Sequence, residues 1–68
     1  MALTVYVNDE PLTLDAPCSV AQLLQQRGLG EAACAVEINR TLIPKRQHAE
    51  RQLAHGDRIE IVTLVGGG

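Results

Sequence analysis

The hydrophobic pattern changes period twice along the chain, and this order most constrains the fold. Apolar and polar side chains alternate in residues 3–7, which are rich in β-branched types, so a strand is predicted there. A turn at 8–10 leads to a second short strand over 11–14. Because Pro11 has no N–H to donate, we expect this second strand at a sheet edge. The chain therefore begins with a β-hairpin.

A single helix pattern interrupts the strands. Ser19 is suited to the N-cap, and Gln22 stands three residues later, which is the capping-box spacing. Gly28 supplies the left-handed residue that ends many helices, and Leu29 can fold back onto the last turn. The apolar positions of one helix face are Val20, Leu23 and Leu24. The pattern predicts one amphipathic helix of two to three turns.

Strand patterns return after the helix. Residues 34–38 alternate again, a turn is predicted at 39–40, and residues 41–44 form a brief extended piece closed by proline. The polar segment 45–50 is expected to be irregular, with one helical turn at 48–51. Once the final strand is added, the predicted order is strand, strand, helix, strand, short strand, strand.

The last third of the chain completes the predicted domain. Leu53 is expected to anchor the polar loop to the core, and Gly56 to take a positive φ in a tight turn. The final strand runs from 58 to about 65. One helix packed on one face of a mixed four- to five-stranded sheet is a two-layer α+β domain. We expect this domain to span residues 1–65 and a glycine tail to span 66–68.

The alternation of the final strand predicts a small docking surface. Ile59, Ile61 and Thr63 are expected to face the helix. Val62 and Leu64 then lie on the open face of the sheet, and Tyr6 of the first strand is expected beside them. An exposed apolar patch of this kind is typical of an interaction site. Val65 continues the patch toward the tail.

Three glycines follow the final strand: Gly66, Gly67 and Gly68. Glycine packs no side chain and loses much conformational entropy on ordering, so a structural role is a poor explanation for three in a row. A thin peptide of this kind is suited to entering a narrow slot on another protein, where the carboxylate of Gly68 can react. The alternative at this point is an ordinary frayed terminus.

Composition excludes several function classes. The net charge is −2 and Tyr6 is the one aromatic residue, whereas nucleic-acid binding needs basic patches or stacking platforms. No apolar run approaches the length of about 20 residues that spans a bilayer. The first residues lack the basic and apolar segments of a secretory signal. We therefore expect a cytoplasmic protein that binds neither nucleic acid nor membrane.

The few reactive side chains do not form a catalytic or metal-binding pattern. Cys18, Cys34, His48 and His55 show no ligand spacing, and no acid, base or nucleophile is clustered. Cys18 lies next to a helix N-terminus, where a thiol pKa can fall. We nevertheless expect structural or incidental roles for both thiols, no bound metal, and no catalytic residue in this chain. The sequence leaves a disulfide between Cys18 and Cys34 open.

The chain resembles the ThiS family of ubiquitin-like β-grasp sulfur carriers, which supply sulfur for the thiazole ring of thiamine. The resemblance covers the whole chain. It is carried by the stretches SVAQLL (19–24), AVEINR (35–40), LIPK (42–45) and HGDRIEI (55–61), and by the terminal glycines. The family more often has a residue with a side chain before the last two glycines, whereas this chain has Gly66 there.

The resemblance implies a carrier rather than an enzyme. An E1-like, ThiF-type adenylyltransferase would use ATP and Mg²⁺ to adenylate Gly68. Sulfur from a donor such as a cysteine desulfurase would then displace AMP and leave a C-terminal thiocarboxylate. A ThiG-type thiazole synthase would receive that sulfur, and no cofactor would be bound by the carrier itself. Two alternatives remain at this point: the small subunit of molybdopterin synthase, and a ubiquitin-like modifier or interaction module.

Overall fold

The computed structural model describes residues 2–30 and 33–64. The secondary-structure elements are, in chain order, β1 (Leu3–Val7), β2 (Glu10–Leu14), α1 (Val20–Gln26), β3 (Cys34–Ile38), β4 (Thr41–Ile43), a 3₁₀ helix (Lys45–Gln47) and β5 (Arg58–Thr63). The strands form one five-stranded sheet in the order β2-β1-β5-β3-β4. The predicted α+β architecture with one main helix is therefore confirmed.

The last strand lies at the centre of the sheet. β5 runs parallel to β1 and antiparallel to β3, so the sheet is mixed. The hairpins β1–β2 and β3–β4 are antiparallel and place β2 and β4 at the two edges. Pro11 lies on β2, which agrees with the prediction of an edge strand. The C-terminal end of the described chain, Leu64, therefore follows the central strand.

Two-residue loops close both hairpins. Asn8 and Asp9 have φ values of 50° and 71°, and Asn39 and Arg40 have φ values of 52° and 69°. Positive φ at both central residues is characteristic of a type I′ turn, whose twist matches that of the flanking strands. Asparagine tolerates this left-handed region better than most residues, which explains its place at the first position of each loop.

The capping box predicted for α1 is present. The Ser19 hydroxyl accepts a hydrogen bond from the Gln22 N–H at 3.1 Å, and the Gln22 side chain accepts one from the Ser19 N–H at 2.9 Å. At the other end, Gly28 has a φ of 76°, and the Leu29 N–H donates to the Leu24 carbonyl at 2.7 Å. Both helix ends therefore satisfy their backbone groups as the sequence predicts.

The segment between β4 and β5 contains a 3₁₀ helix that the sequence pattern does not predict. A 3₁₀ helix at Lys45–Gln47 directly follows Pro44, whose φ is −59°. The helical turn expected at residues 48–51 is present as one hydrogen-bonded turn, in which the Arg51 N–H donates to the Gln47 carbonyl at 2.9 Å. The carbonyls of His48 and Arg51 accept hydrogen bonds from the first N–H groups of α1, at 2.8 and 3.0 Å. These carbonyls cap the neighbouring helix, so they do not continue a helix of their own.

The core lies between α1 and one face of the sheet. It consists of Val5, Val7, Leu14, Cys18, Val20, Leu23, Leu24, Val36, Ile38, Ile43, Leu53, Ile59 and Ile61. Leu53 is 6% exposed and holds the preceding loop against this core, as predicted. Gly56 has a φ of 86° in the turn before β5, also as predicted. No helix of the described residues is long and apolar enough to cross a membrane.

Candidate functional site

The proposed reacting residue, Gly68, lies outside the described residues, as do Val65, Gly66 and Gly67. The described structure does establish where this segment begins. The Leu64 N–H donates to the Ala33 carbonyl at 2.8 Å, which extends the antiparallel pairing of β5 with β3. The tail therefore starts at the end of the central strand.

The side chains of β5 alternate between the core and the open face of the sheet. Ile59 and Ile61 are buried, whereas Val62 is 57% and Leu64 is 56% exposed. Thr63 was expected to face the helix but is exposed, because it forms the last rung of β5, opposite Cys34, where the core ends. Val62 thus lies on the open face as the sequence predicts, whereas Leu64 follows the end of β5 and is exposed without being placed on that face by the strand.

Tyr6 lies on the open face beside the first residue of β5, far from Val62 near the other end of that strand. It is paired with Arg58, whose guanidinium carbon lies 4.8 Å from the centroid of the Tyr6 ring. Val62 is four residues further along β5, about 13 Å away at the usual rise of a strand. The expectation that Tyr6 sits beside Val62 and Leu64 is therefore wrong, since the parallel register of β1 and β5 could not be inferred from alternation alone.

Leu42 of β4 is 61% exposed, although the sequence pattern does not single it out. It is paired with Glu37 of β3, and the neighbouring rung pairs Ala35 with Val62. Leu42 and Val62 therefore lie on one face across three adjacent strands. Alternation alone does not reveal it, because in the three-residue strand β4 the sequence does not show whether Leu42 or its buried neighbour Ile43 faces the core. We call Leu42 and Val62 the open-face patch.

Leu64 also borders a cavity of about 370 Å³ on the helix side. Its other walls include Leu24, Leu29, Cys34 and His48. The His48 ring is buried, and its Nε2 lies 3.0 Å from the Ile43 carbonyl oxygen. That imidazole is thus engaged in holding the loop together. Among residues 2–30 and 33–64, no group of three or more potential ligands is arranged to hold a metal ion.

The two thiols have different surroundings. Cys18 is buried, and its Sγ donates to the Ser19 carbonyl at 3.4 Å. Burial raises the pKa of the Cys18 thiol, so the thiol is protonated at neutral pH. The helix N-terminus nearby does not produce the lowered pKa that its position could suggest. Cys34 is half-buried, and both cysteines are free.

Comparison with known proteins identifies the family. The sequence profile of the ThiS family matches residues 5–68. The chain belongs to the ThiS family. Its fold agrees with a solved ThiS structure, the thiamine biosynthesis protein of Geobacter metallireducens, with a TM-score of 0.80 and 26% identity. That match covers 97% of this chain and all of the other, so the ubiquitin-like β-grasp fold is shown.

Two relatives of the chain have names that connect the ThiS family to sulfur transfer and thiazole synthesis. The sulfur carrier protein ThiS of Escherichia coli is 29% identical over 66 residues, which are 97% of this chain and 100% of that protein. A thiazole synthase of Paramagnetospirillum magneticum is 33% identical over 66 residues. Those residues are 97% of this chain and 20% of that synthase, so the ThiS-like segment is a small part of a larger protein.

Proposed function

We propose that this ThiS-family chain is a sulfur carrier of thiamine biosynthesis and that the carboxylate of Gly68 is the site of transfer. The match to the ThiS family extends through Gly68, and this observation carries the proposal. The E. coli relative that this chain matches over its full length is named a sulfur carrier protein. The position of the tail, directly after the central strand β5, also supports a role in delivery.

The chemistry proposed for the tail follows from its carboxylate. An α-carboxyl group has an ordinary pKa of about 3.3–3.7, so the carboxylate of Gly68 is ionised at neutral pH. It attacks the α-phosphate of ATP on a ThiF-type adenylyltransferase, and pyrophosphate leaves. The terminal sulfur of a persulfide donor, such as a cysteine desulfurase, then attacks the acyl carbon, the bond to AMP breaks, and a thiol reduces the resulting acyl disulfide. The product is a thiocarboxylate, and the catalytic groups and the Mg²⁺ belong to the partners.

Thiazole synthase is the proposed acceptor of the sulfur. In the Paramagnetospirillum relative, the segment that resembles this chain accounts for 20% of a protein named thiazole synthase. A second thiazole synthase, from Magnetococcus marinus, matches in the same proportion at 29% identity. The presence of both units in one chain supports a direct functional link between them. It also favours the thiazole role over one in molybdenum-cofactor synthesis.

The open-face patch is the proposed docking surface for these partners. Leu42 and Val62 are more than half exposed, and Leu64, the last described residue before the tail, follows Val62 by two positions. A partner that covers this patch therefore lies close to the start of the tail. Four extended residues from Val65 then reach about 13 Å, which is enough to bring Gly68 into a recessed active site.

Intact mass measurement tests the proposed function. The purified chain is weighed first, to establish that Gly68 carries the terminal carboxylate. It is then incubated with ATP, Mg²⁺, a ThiF-type adenylyltransferase, a cysteine desulfurase, cysteine and a thiol reductant. We expect the mass to rise by the difference between one sulfur and one oxygen atom. A chain with an intact tail and active partners whose mass never rises would rule out the carrier role.

A variant that lacks Gly68 is the matched control for that measurement. It should fold like the wild type, as measured by circular dichroism and thermal unfolding, because the core contains only residues of the domain. It should nevertheless gain no sulfur. Loss of the fold would instead show that the terminal residue has a structural role.

A further inference from the structure

An apolar groove lies beside the point where the described chain ends. It is the cavity of about 370 Å³ on the helix side of the sheet, and its walls include Leu24, Leu29, Cys34 and Leu64. Leu24 is buried in the core, whereas Leu64 is 56% exposed. The groove therefore reaches from the core to the surface, and the last described residue forms part of its wall.

Lys45 supplies a cation at the wall of the same groove. It is exposed and begins the 3₁₀ helix, and the buried ring of His48, three residues later, also lines the groove. Among the described residues, the only ion pair joins Arg51 to Asp57, so no carboxylate of that part of the chain is paired with Lys45. The groove thus combines an apolar wall with one positive charge.

Residues 65–68 have the length and the chemistry to occupy this groove. The segment begins at Leu64, and four extended residues reach about 13 Å, enough to cross a cavity of this volume. Val65 is apolar and matches the leucines of the wall, and the three glycines carry no side chain that would prevent a tight turn. The carboxylate at the end of the segment has the opposite charge to Lys45.

We propose that in the free carrier residues 65–68 turn back into this groove and place the carboxylate of Gly68 beside the ammonium group of Lys45. Val65 then packs on the apolar wall. This inference rests on the proposed function, which gives Gly68 its free carboxylate. The contact is weak, because each glycine loses much conformational entropy on ordering and an exposed ion pair contributes little. A partner can therefore withdraw the tail, which the groove shields until the carrier docks.

Nuclear magnetic resonance of the free 68-residue chain, whose intact mass is verified first, tests the contact. We expect nuclear Overhauser effects between the methyl groups of Val65 and those of Leu24 and Leu29. Digestion by a carboxypeptidase that accepts glycine measures the exposure of Gly68 independently. Lys45→Gln should speed the release of Gly68 about two- to fivefold, the range that corresponds to the loss of an exposed ion pair. Lys45→Arg keeps the charge and should be cleaved at nearly the wild-type rate.

Arg46→Gln is the matched control, because Arg46 follows Lys45 in the 3₁₀ helix and is exposed but does not line the groove. It should leave both measurements unchanged. Absence of the Val65 contacts in the wild type overturns the inference, as does equal release of Gly68 from the wild type and the Lys45→Gln variant. Contacts that appear only at high protein concentration assign the groove to a second copy and also overturn it.

Neither measurement uses a partner protein, so the outcome is separate from that of the sulfur-loading assay. A chain without the groove contacts that still gains sulfur overturns this inference alone. A chain that shows the contacts but never gains sulfur loses the proposed carrier role and, with it, the meaning of the contact as a store for a reactive tail.

Discussion

The side-chain amide of Asn8 pairs with both backbone groups of Ile61. Its Oδ1 accepts from the Ile61 N–H at 2.9 Å, and its Nδ2 donates to the Ile61 carbonyl at 3.3 Å. The last regular backbone pair between the parallel strands is Val7 with Ile59. Asn8 thus extends the contact between β1 and β5 beyond the end of β1, and it does so from a turn with positive φ.

Replacing Asn8 with alanine should lower the free energy of unfolding by about 2 kcal/mol. The change removes two hydrogen bonds to β5 and places a less tolerant residue in the left-handed region. Chemical denaturation measures the loss. Asp9→Gly is the control, because Asp9 shares the turn and is exposed. An equal loss in the two variants would mean that the turn, rather than the contact with Ile61, is what stabilises the domain.

The local structure of this domain could be predicted because each element has its own signal. Alternation of apolar and polar residues predicts the strands, and Ser19 and Gly28 predict the limits of the helix. The position of β5 between β1 and β3 has no local signal, since it depends on pairing between distant parts of the chain. The contact of Asn8 with Ile61 is of the same kind, since the partners are 53 positions apart in the sequence.

The buried carboxylate of Asp57 should be more important for stability than the ion pair in which it takes part. It accepts hydrogen bonds from the Ala54 N–H at 2.8 Å and from the Asn39 amide at 3.0 Å, in addition to Arg51 at 3.4 Å. Asp57→Asn places an NH₂ group among donors, so we expect a loss of about 2–3 kcal/mol. Thermal or urea unfolding measures it.

Arg51→Gln separates the ion pair from the hydrogen bonds of Asp57. The Arg51 side chain is 34% exposed, and exposed ion pairs contribute at most about 1 kcal/mol. We therefore expect a much smaller loss than for Asp57→Asn. Similar losses would show that the charge of Arg51, rather than the backbone contact of Asp57, dominates.

Removing the capping box of α1 should lower the free energy of unfolding of the domain. The helix has only seven residues, so a large share of its backbone N–H groups lie in the first turn and need partners outside the helix. Ser19→Ala removes the cap, and the expected cost is about 1 kcal/mol in urea unfolding. Gln25→Ala, on an exposed position of the same helix, should cost nothing or stabilise slightly. A neutral Ser19→Ala would contradict the assigned cap.

Cys18 should react slowly with alkylating reagents. Its thiol is 3% exposed and burial raises its pKa, whereas Cys34 is half-buried. Mass spectrometry after brief iodoacetamide treatment should therefore find Cys34 modified first. Modification of Cys18 first would contradict the burial. Cys18→Ala with Cys34→Ala should leave sulfur loading of Gly68 unchanged.

The raised pKa of Cys18 also has a consequence for stability. The unfolded chain loses the thiol proton at a lower pH than the folded domain does. The protonated thiol therefore contributes fully to the free energy of unfolding only below the pKa of the unfolded chain. As the pH rises above about 8.5, ionisation favours the unfolded state and the free energy of unfolding falls. Cys18→Ala should remove this alkaline decline, which denaturation at a series of pH values measures.

The candidate site was less predictable than the fold. Alternation along one strand identified Val62, because it needs no partner strand. Placing Tyr6 and Leu42 relative to it requires the register of β1 and β4, which only the assembled sheet provides. The role of Gly68 stays a prediction, since it depends on the chemistry of partners.

Leu42→Ser with Val62→Ser tests the docking surface directly. Both side chains are more than half exposed, so their loss should change the free energy of unfolding little. Binding to the adenylyltransferase or thiazole synthase should weaken about tenfold or more, because exposed apolar side chains that become buried supply much of the affinity at an interface. Thr13→Ala, on edge strand β2, is the control and should bind normally. Unchanged affinity of the double variant would place the docking surface elsewhere and leave the patch as ordinary exposed apolar surface.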